Sequence, residues 1–311
     1  MQQFMRFFIA SVFMILFSLT SVLQAQTTID LNGKKQIRPK TIQDYDRSSA
    51  IYNTKDSTVY KKCLSRAFNA LAIDSLNEAE KAFREALKIS PLQPANALVH
   101  YQLGLIYESR KQLKEALEEQ TRALQKEPEL MDARLQRASL YLQTNQVDRG
   151  IADYSHVLKQ EPTNKEALFF RAYLYSLKPD YNLSRTDYES LLRLQPTDGN
   201  TLLGLAILDQ KCGRPKEALE VLDRLITYHP SVGEYFAARA GVHTDLQQID
   251  LAIIDWNEGI RLEPKKADYL VGRAMLYLVM KNKVNARRDL DKAVTLGVSR
   301  GQLQDLYNQT K

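Results

Sequence analysis

Two consecutive stretches of equal length decide the fold. Residues 131–164 read MDARLQRASLYLQTNQVDRGIADYSHVLKQEPTN, and residues 165–198 read KEALFFRAYLYSLKPDYNLSRTDYESLLRLQPTD. Apolar side chains recur in them every three or four residues, as in Leu168, Ala172 and Tyr175, which is the spacing of one face of an α-helix. The pattern runs twice in each stretch and stops before a proline, whose ring cannot continue the hydrogen-bond ladder. Each stretch therefore predicts a pair of helices.

The same proline recurs along most of the chain. Successive prolines are 37 residues apart once and 34 residues apart four times, which means that one structural unit is reused. Three inserted residues, Pro94 to Asn96, account for the longer interval. The prolines are Pro91, Pro128, Pro162, Pro196, Pro230 and Pro264, at position 32 of their units. The predicted units are residues 60–93, 97–130, 131–164, 165–198, 199–232, 233–266 and 267–300.

Two positions of the unit are small in every copy. Small residues are needed where two helix backbones approach most closely, because a large side chain would force the helices apart. Position 8 is Ala67, Gly104, Ala138, Ala172, Ala206, Ala240 and Ala274, and position 20 is Ala79, Ala116, Gly150, Ser184, Ala218, Ala252 and Ala286. Position 24 is bulky in six units, as Phe83, Tyr154, Tyr188, Leu222, Trp256 and Leu290, whereas Gln120 stands there in the second unit.

This pattern resembles the tetratricopeptide repeat family over residues 60–300. The resemblance implies an all-α fold, a right-handed α-solenoid of about seven helical hairpins. After the seventh unit, Asn308 falls where the repeat requires a small residue. We therefore predict that residues 301–311 form a C-terminal capping helix and that the array spans residues 58–311.

A second periodic signal links the two helices of a unit. In four units position 7 is arginine and position 23 is aspartate. The planar guanidinium can bind a carboxylate at two points, so we predict an ion pair between the helices of each of these units. We expect the pairs to be exposed, and therefore to set the register of the two helices while adding little stability. The pairs are Arg137 with Asp153, Arg171 with Asp187, Arg239 with Asp255, and Arg273 with Asp289.

Local signals also predict helix ends. Thr163 followed by Glu166, and Ser231 followed by Glu234, each have the form of a capping box that opens a first helix. Pro215 suits the first turn of a second helix, and Gly297 suits a helix end.

The first 25 residues have the order of an export signal. Arg6 precedes an apolar run of 13 residues, Phe7 to Leu19, and Ala25 is a small residue at the expected cut. We expect a bacterial periplasmic or secreted protein with no membrane insertion after cleavage. The alternative is an uncleaved anchor, since the apolar stretch extended to Leu23 has 17 residues, the minimum for crossing a bilayer. Residues 26–57 are polar and are expected to form a flexible leader.

Charge and cysteine content narrow the function. The net charge of +6 comes from 43 basic and 37 acidic residues, so the chain has no strong field and nucleic acid is not an expected partner. Cys63 and Cys212 lie four repeats apart, which is too far for a disulfide without bending the array.

The candidate partner-binding residues lie on one stripe of the first helices. Positions 2, 5, 9 and 12 lie about 100 degrees around the helix from the packing stripe, and the family resemblance places them on the concave groove. They either pack against the neighbouring first helix or form an apolar groove for an extended or helical peptide. The apolar members are Tyr101, Leu105, Leu135, Phe169, Tyr173, Leu203, Ile207, Val271 and Met275.

Position 2 is acidic in four units, as Asp132, Glu166, Glu234 and Asp268. An acid in the first turn interacts favourably with the helix dipole; an acidic groove edge would also prefer a ligand with lysine or arginine beside apolar side chains. Positions 5 and 9 hold no lysine or asparagine, so the family's clamp for a C-terminal carboxylate is not expected. The leader segment Lys34-Lys35-Gln36-Ile37-Arg38 is one candidate for docking in this groove.

No catalytic centre is predicted. The four histidines occupy scattered repeat positions without the spacing of metal ligands, and the chain has no phosphate-binding glycine loop. We therefore predict no catalytic residue, no metal and no cofactor, and a non-catalytic envelope scaffold that binds protein or peptide segments. The alternatives are a structural subunit of a larger envelope or secretion assembly and, third, an enzyme with a site between repeats.

Overall fold

The computed structural model describes residues 55–311, with side chains from Thr58 onward. The predicted signal peptide, residues 1–25, and the predicted leader up to residue 54 lie outside the described residues. Fifteen helices and no strand are present from residue 55 to the C-terminus. They are α1 (Lys55–Ala72), α2 (Leu76–Ile89), α3 (Asn96–Ser109), α4 (Leu113–Lys126), α5 (Met131–Gln143), α6 (Val147–Gln160), α7 (Lys165–Leu177), α8 (Tyr181–Leu194), α9 (Gly199–Lys211), α10 (Pro215–Tyr228), α11 (Gly233–Asp245), α12 (Ile249–Leu262), α13 (Ala267–Val279), α14 (Lys283–Thr295) and α15 (Gln304–Gln309).

The helices belong to two compact units, which are described separately. The first unit ends at Leu191 and contains the hairpins α1–α2, α3–α4 and α5–α6, followed by α7 and most of α8. The second unit begins at Leu192 and contains the hairpins α9–α10, α11–α12 and α13–α14, followed by the short helix α15. Within each unit, helices that follow one another in sequence pack together. The predicted all-α repeat fold is confirmed.

The repeat prolines mark the ends of the second helices. Six of these helices end two residues before the proline, as α2 does at Ile89 before Pro91. In the seventh unit Val298 replaces the proline, and α14 ends at Thr295. Gly297 follows with a φ of 105°, a left-handed conformation that glycine adopts without strain. A different residue type thus ends the last repeat.

The small residues at positions 8 and 20 are buried in all seven units. In the second repeat, residues 97–130, Gly104 lies against Gln120. A Cβ atom at Gly104 would overlap the amide of that side chain. Gln120 is fully buried and donates a hydrogen bond of 3.2 Å to the carbonyl oxygen of Tyr101. The amide at position 24, which departs from the repeat pattern, is therefore accommodated by a glycine at position 8.

All four predicted arginine–aspartate pairs are present and bidentate. In the seventh unit, Nε and Nη2 of Arg273 each donate to one oxygen of Asp289 at 2.8 Å. The other three pairs have the same geometry, with distances of 2.7–2.9 Å. The expectation that these pairs are exposed is wrong on the aspartate side, because the four aspartates are only 2–5% exposed. Loss of one arginine would therefore leave a buried aspartate without its partner, which destabilises a fold far more than loss of a surface ion pair does.

Three of these arginines also reach the preceding hairpin. Nη1 of Arg171 donates to Ser155 at 3.1 Å, and Nη1 of Arg273 donates to Asn257 at 2.7 Å. Arg239 donates in the same way to Asp223 at 2.7 Å. Each acceptor is at position 25 of the preceding unit. One side chain therefore fixes the second helix of its own hairpin and that of the preceding hairpin.

The three predicted helix starts have different outcomes. Helix α10 begins at Pro215, as predicted. Helix α7 begins one residue later than the capping-box pattern indicated: its N-cap is Asn164, whose side chain accepts a hydrogen bond of 2.9 Å from the backbone of Ala167. Asparagine is a better N-cap than threonine, so the capping-box spacing misplaced this start. Helix α11 likewise begins one residue later than Ser231 predicts, after the N-cap Val232, which makes no side-chain capping bond.

Candidate partner-binding surface

We use the name groove stripe for positions 2, 5, 9 and 12 of the first helices. Five of its predicted apolar members are only partly buried and leave apolar surface accessible, whereas four are 6–8% exposed. A ligand could therefore contact the first group without a change in the fold. The partly buried members are Tyr101, Leu105, Leu135, Tyr173 and Ile207, and the buried ones are Phe169, Leu203, Val271 and Met275.

The buried members act in packing where their contacts are defined. The ring of Phe169 lies edge-on to those of Phe170 and Tyr188, with centroid distances of 5.5 and 5.8 Å. Met275 belongs to a buried cluster that also contains Leu303 and Tyr307 from the C-terminal segment. For these positions the geometry agrees with the packing interpretation rather than with ligand contact.

The four predicted acidic residues all occupy the second position of a helix. The acids near the starts of α5, α7 and α11 are half-buried, whereas that of α13 is exposed; they are Asp132, Glu166, Glu234 and Asp268 in that order. At this position a carboxylate interacts favourably with the free N–H groups of the first turn. Burial raises the pKa of Glu234 above its ordinary value, and Glu263 adds to this effect while Lys266 opposes it.

A further carboxylate, Glu108, was not among the predicted site residues. It lies on the groove stripe, at position 12 of the second repeat and near the end of α3. Gln143 donates a hydrogen bond of 2.7 Å to one oxygen of Glu108, and Gln136 donates to the other. Both donors are on α5, so Glu108 links two successive hairpins. The stripe position was known from the sequence, but the prediction followed its apolar members and its position 2 only.

Two of the predicted acids, Asp132 and Glu166, act together with Glu108 on the pKa of one phenol, that of Tyr101. Burial raises the pKa of Tyr101, and the charges of Asp132, Glu166 and Glu108 raise it further. These three carboxylates come from three successive hairpins of the first compact unit.

In the second compact unit, Glu234 and Asp268 lie near Tyr269. Burial raises the pKa of Tyr269, and Glu263, Glu234 and Asp268 add to the effect. The carboxylate of Glu263 accepts hydrogen bonds from the backbone of Glu234 at 3.2 Å and from the Tyr269 hydroxyl at 3.4 Å. Here the acidic side chains are tied into the hairpin contacts, with a cation, Lys266, close to Glu234.

Metal-type clusters and membrane-spanning helices were sought in residues 55–311. In that part of the chain no group of three histidine, cysteine, aspartate or glutamate side chains is placed to hold a metal ion. None of the described helices is both long and apolar enough to cross a membrane.

Comparisons with known proteins agree with the helical-repeat architecture. Residues 67–129 and 135–199 match the family model of the tetratricopeptide repeat. The structure is similar to the crystal structure of a tetratricopeptide repeat protein from Parabacteroides merdae, with 24% identity and a TM-score of 0.67. The match covers 81% of this chain and 99% of that chain. The crystal structure of the APC/C hetero-tetramer Cut9-Hcn1 is similar over 88% of this chain and 59% of that chain, with 15% identity and a TM-score of 0.55. No curated protein matches the sequence.

The paired helices and the buried small residues define an all-α repeat protein. Residues 67–129 and 135–199 carry the tetratricopeptide repeat, and the fold of the described chain is that of a tetratricopeptide repeat protein. Its fold is that of a protein–protein interaction scaffold.

Proposed function

We propose that this chain is a non-catalytic scaffold of the bacterial cell envelope that binds protein segments along the groove stripe. One observation carries the proposal: the partly buried side chains Tyr101, Leu105, Leu135 and Tyr173 leave apolar surface on successive first helices, where a carboxylate accompanies them in each hairpin. A polypeptide segment offers apolar and polar groups at such a repeating interval.

Crosslinking and affinity purification from the native envelope test this function. Two groove-stripe substitutions, Leu135→Asp and Tyr173→Asp, place charges on the partly buried apolar surface and should abolish recovery of the partner. The matched control is Ile254→Asp, which replaces a 60% exposed side chain on α12. Circular dichroism should show the same helix content for all variants. Equal recovery with both groove variants would refute binding at the stripe.

A second function is favoured by the exposed apolar side chains of α12. Leu251 and Ile254 are 45% and 60% exposed and lie one turn apart. Such a pair on a second helix suits permanent burial in a larger envelope or secretion assembly. The same experiment separates the two functions, because Ile254→Asp would then abolish recovery of a stoichiometric complex while the groove variants retain it.

Envelope location rests on the apolar run from Phe7 to Leu19. Expression of the full chain in a Gram-negative host, followed by fractionation and N-terminal sequencing, tests it. We expect a periplasmic or secreted protein that begins at Gln26. Recovery of the whole chain in the cytoplasmic fraction would contradict this location, whereas recovery of the whole chain in the membrane fraction would support the uncleaved anchor.

A further inference from the structure

The positive charge of the described chain is concentrated in its C-terminal segment. Residues 281–311 contain seven basic and three acidic side chains, whereas residues 55–280 contain 30 basic and 31 acidic ones. One of the three acids, Asp289, is buried and bound by Arg273, so it does not offset the charge at the surface. The seventh hairpin and the segment after it therefore form a basic end of an otherwise balanced array.

Six of these cations are exposed on α14, on the turn before it and on the segment that leads into α15. Within the described part of the chain, none of the six forms an ion pair with a carboxylate. Two exposed acids share the segment, Asp291 and Asp305, and the first accepts a hydrogen bond from the hydroxyl of Tyr307. We call the six cations the basic face: Lys281, Lys283, Arg287, Arg288, Lys292 and Arg300.

One tyrosine ring joins the two parts of the basic face. The guanidinium carbons of Arg300 and Arg287 lie 4.6 and 6.0 Å from the centroid of the Tyr307 ring. The ring is buried, and its hydroxyl is bonded to Asp291 at 2.7 Å. A fixed aromatic ring attracts the cations packed against it. Tyr307 therefore holds a guanidinium group of α14 and one of the following segment at the same surface.

Apolar side chains stand among these cations. Val284 is 81% exposed and lies one helical turn before Arg288, and Met280, which is 47% exposed, lies in the turn between α13 and α14. Lys283 and Arg287 are also one turn apart, so the cations and Val284 share the exposed face of α14. Exposed apolar groups flanked by lysine and arginine are typical of a surface that contacts anionic lipid.

We propose that the basic face binds the surface of a membrane that contains anionic phospholipids. Its lysine and arginine side chains contact lipid phosphates, and Val284 and Met280 enter the boundary between headgroups and acyl chains. This contact lies at the membrane surface and requires no helix to cross it. The proposal goes beyond the binding of protein segments and does not depend on the groove stripe.

The arrangement of the cations favours a lipid surface over an acidic protein segment. A carboxylate binds one guanidinium group at two points and needs only a few positioned donors. The basic face is instead an exposed helix face, whose cations extend from Lys283 to Lys292, about 14 Å along the axis of α14. Such a spread matches the many phosphates of a lipid layer. An acidic segment would also leave the exposure of Val284 without a purpose.

Cosedimentation with lipid vesicles tests the proposal. We choose the chain that begins at Gln26, because every described helix lies after residue 54 and the apolar run from Phe7 to Leu19 would itself bind lipid. Vesicles of phosphatidylglycerol and phosphatidylcholine in equal parts should bind this chain at least about tenfold more strongly than vesicles of phosphatidylcholine alone. Added salt should weaken the binding, because it screens the attraction between charges.

Two double variants locate the contact. Lys283→Gln with Arg288→Gln removes two charges of the basic face and should weaken binding to the anionic vesicles about 20-fold. The matched control, Lys216→Gln with Arg224→Gln, removes the same residue types from exposed positions on the second helix α10, where acidic residues are close in sequence. We expect little change in binding. Both variants keep the basic leader segment Lys34 to Arg38, so a difference between them cannot come from it.

A second pair of variants tests the apolar part of the contact. Val284→Ser should weaken binding to the anionic vesicles several-fold, because less apolar surface leaves water. The matched control is Leu92→Ser in the first hairpin, which replaces an 87% exposed side chain and should leave the binding unchanged. Thermal denaturation should show the same stability for all four variants, since each replaced side chain is exposed.

Several outcomes would overturn the lipid contact. These are no binding to either kind of vesicle, equal binding to both kinds, equal weakening by the two double variants, and no effect of Val284→Ser. Binding of polyglutamate or duplex DNA at the basic face, without binding of anionic vesicles, would overturn it in favour of another anionic partner. Recovery of protein partners through the groove stripe should be the same for the basic-face variants and wild type, so failure of this proposal leaves the proposed function intact.

Discussion

The hydroxyl of Tyr307 donates a hydrogen bond of 2.7 Å to Asp291. Tyr307 lies on the short helix α15, and Asp291 lies on α14, 16 residues earlier. The same separation joins Arg273 to Asn257 and Arg239 to Asp223. In repeat numbering Tyr307 is therefore at position 7 after the seventh unit, and it makes the contact to the preceding hairpin that arginine makes in earlier units. Helix α15 thus keeps the register of the repeat.

This relationship predicts the cost of damaging the cap. Tyr307→Phe removes one hydrogen bond to an exposed carboxylate and should lower the free energy of unfolding by about 1 kcal/mol. Deletion of residues 301–311 also removes the buried side chains Leu303 and Tyr307 from the cluster around Met275, and should cost at least about 3 kcal/mol. Urea denaturation followed by circular dichroism measures both. Equal stability of the truncated and full chains would show that α15 is not a cap.

The arginine at position 7 should stabilise the fold most in the repeats where its aspartate partner is buried. Arg273→Ala leaves Asp289, which is 2% exposed, without its bidentate partner. An uncompensated buried charge of this kind costs about 3 kcal/mol or more. The matched control is Arg66→Ala, at the same repeat position, because Arg66 binds the exposed Glu85 instead. Thermal denaturation should show a large decrease for the first variant and little change for the second; similar decreases would contradict the role of burial.

The sequence was sufficient for features that repeat. Helix pairs, the small residues at positions 8 and 20 and the four arginine–aspartate pairs could be predicted because each recurs at a fixed spacing and is fixed by packing. Features that occur once were harder. The N-cap at Asn164 was placed one residue too early because both candidates cap well, and the contact of Glu108 with Gln136 joins two hairpins, a relation that no local pattern contains. Burial of the aspartates depends on packing in three dimensions, which sequence spacing does not give, so their exposure was wrongly expected.

The second repeat, residues 97–130, offers a test of whether the glycine at position 8 compensates for the amide at position 24. Gly104→Ala should destabilise the chain, because the added methyl group overlaps the buried amide of Gln120. Gln120→Leu alone should also destabilise it, since the hydrogen bond to the carbonyl of Tyr101 is lost. The double variant copies the combination of Ala206 and Leu222 in the fifth unit and should recover much of the loss. A double-mutant cycle by urea denaturation measures the coupling, which we expect to be about 1 kcal/mol; additive losses would contradict the pairing.

The contact between the first two hairpins should depend on pH through Glu80. Tyr107 and Arg110 of the second hairpin each donate a hydrogen bond of 2.5 Å to its carboxylate, and Arg84 donates another of 3.0 Å from the same helix. Burial opposes ionisation of Glu80, but these hydrogen bonds outweigh it and lower its pKa from 4.5 to about 2.

Because the pKa of Glu80 is lower in the folded chain than its ordinary value, the stabilisation that it gives is complete above pH 4.5 and is lost as the pH falls toward 2. Wild type should therefore be more stable than Glu80→Gln at neutral pH, and this difference in the free energy of unfolding should shrink steadily through that window. Tyr107→Phe, which removes one of the donors, should reduce the same pH dependence in part. Urea denaturation at a series of pH values checks this, and a difference between wild type and Glu80→Gln that stays constant down to pH 2 would show that the carboxylate is not held by these hydrogen bonds.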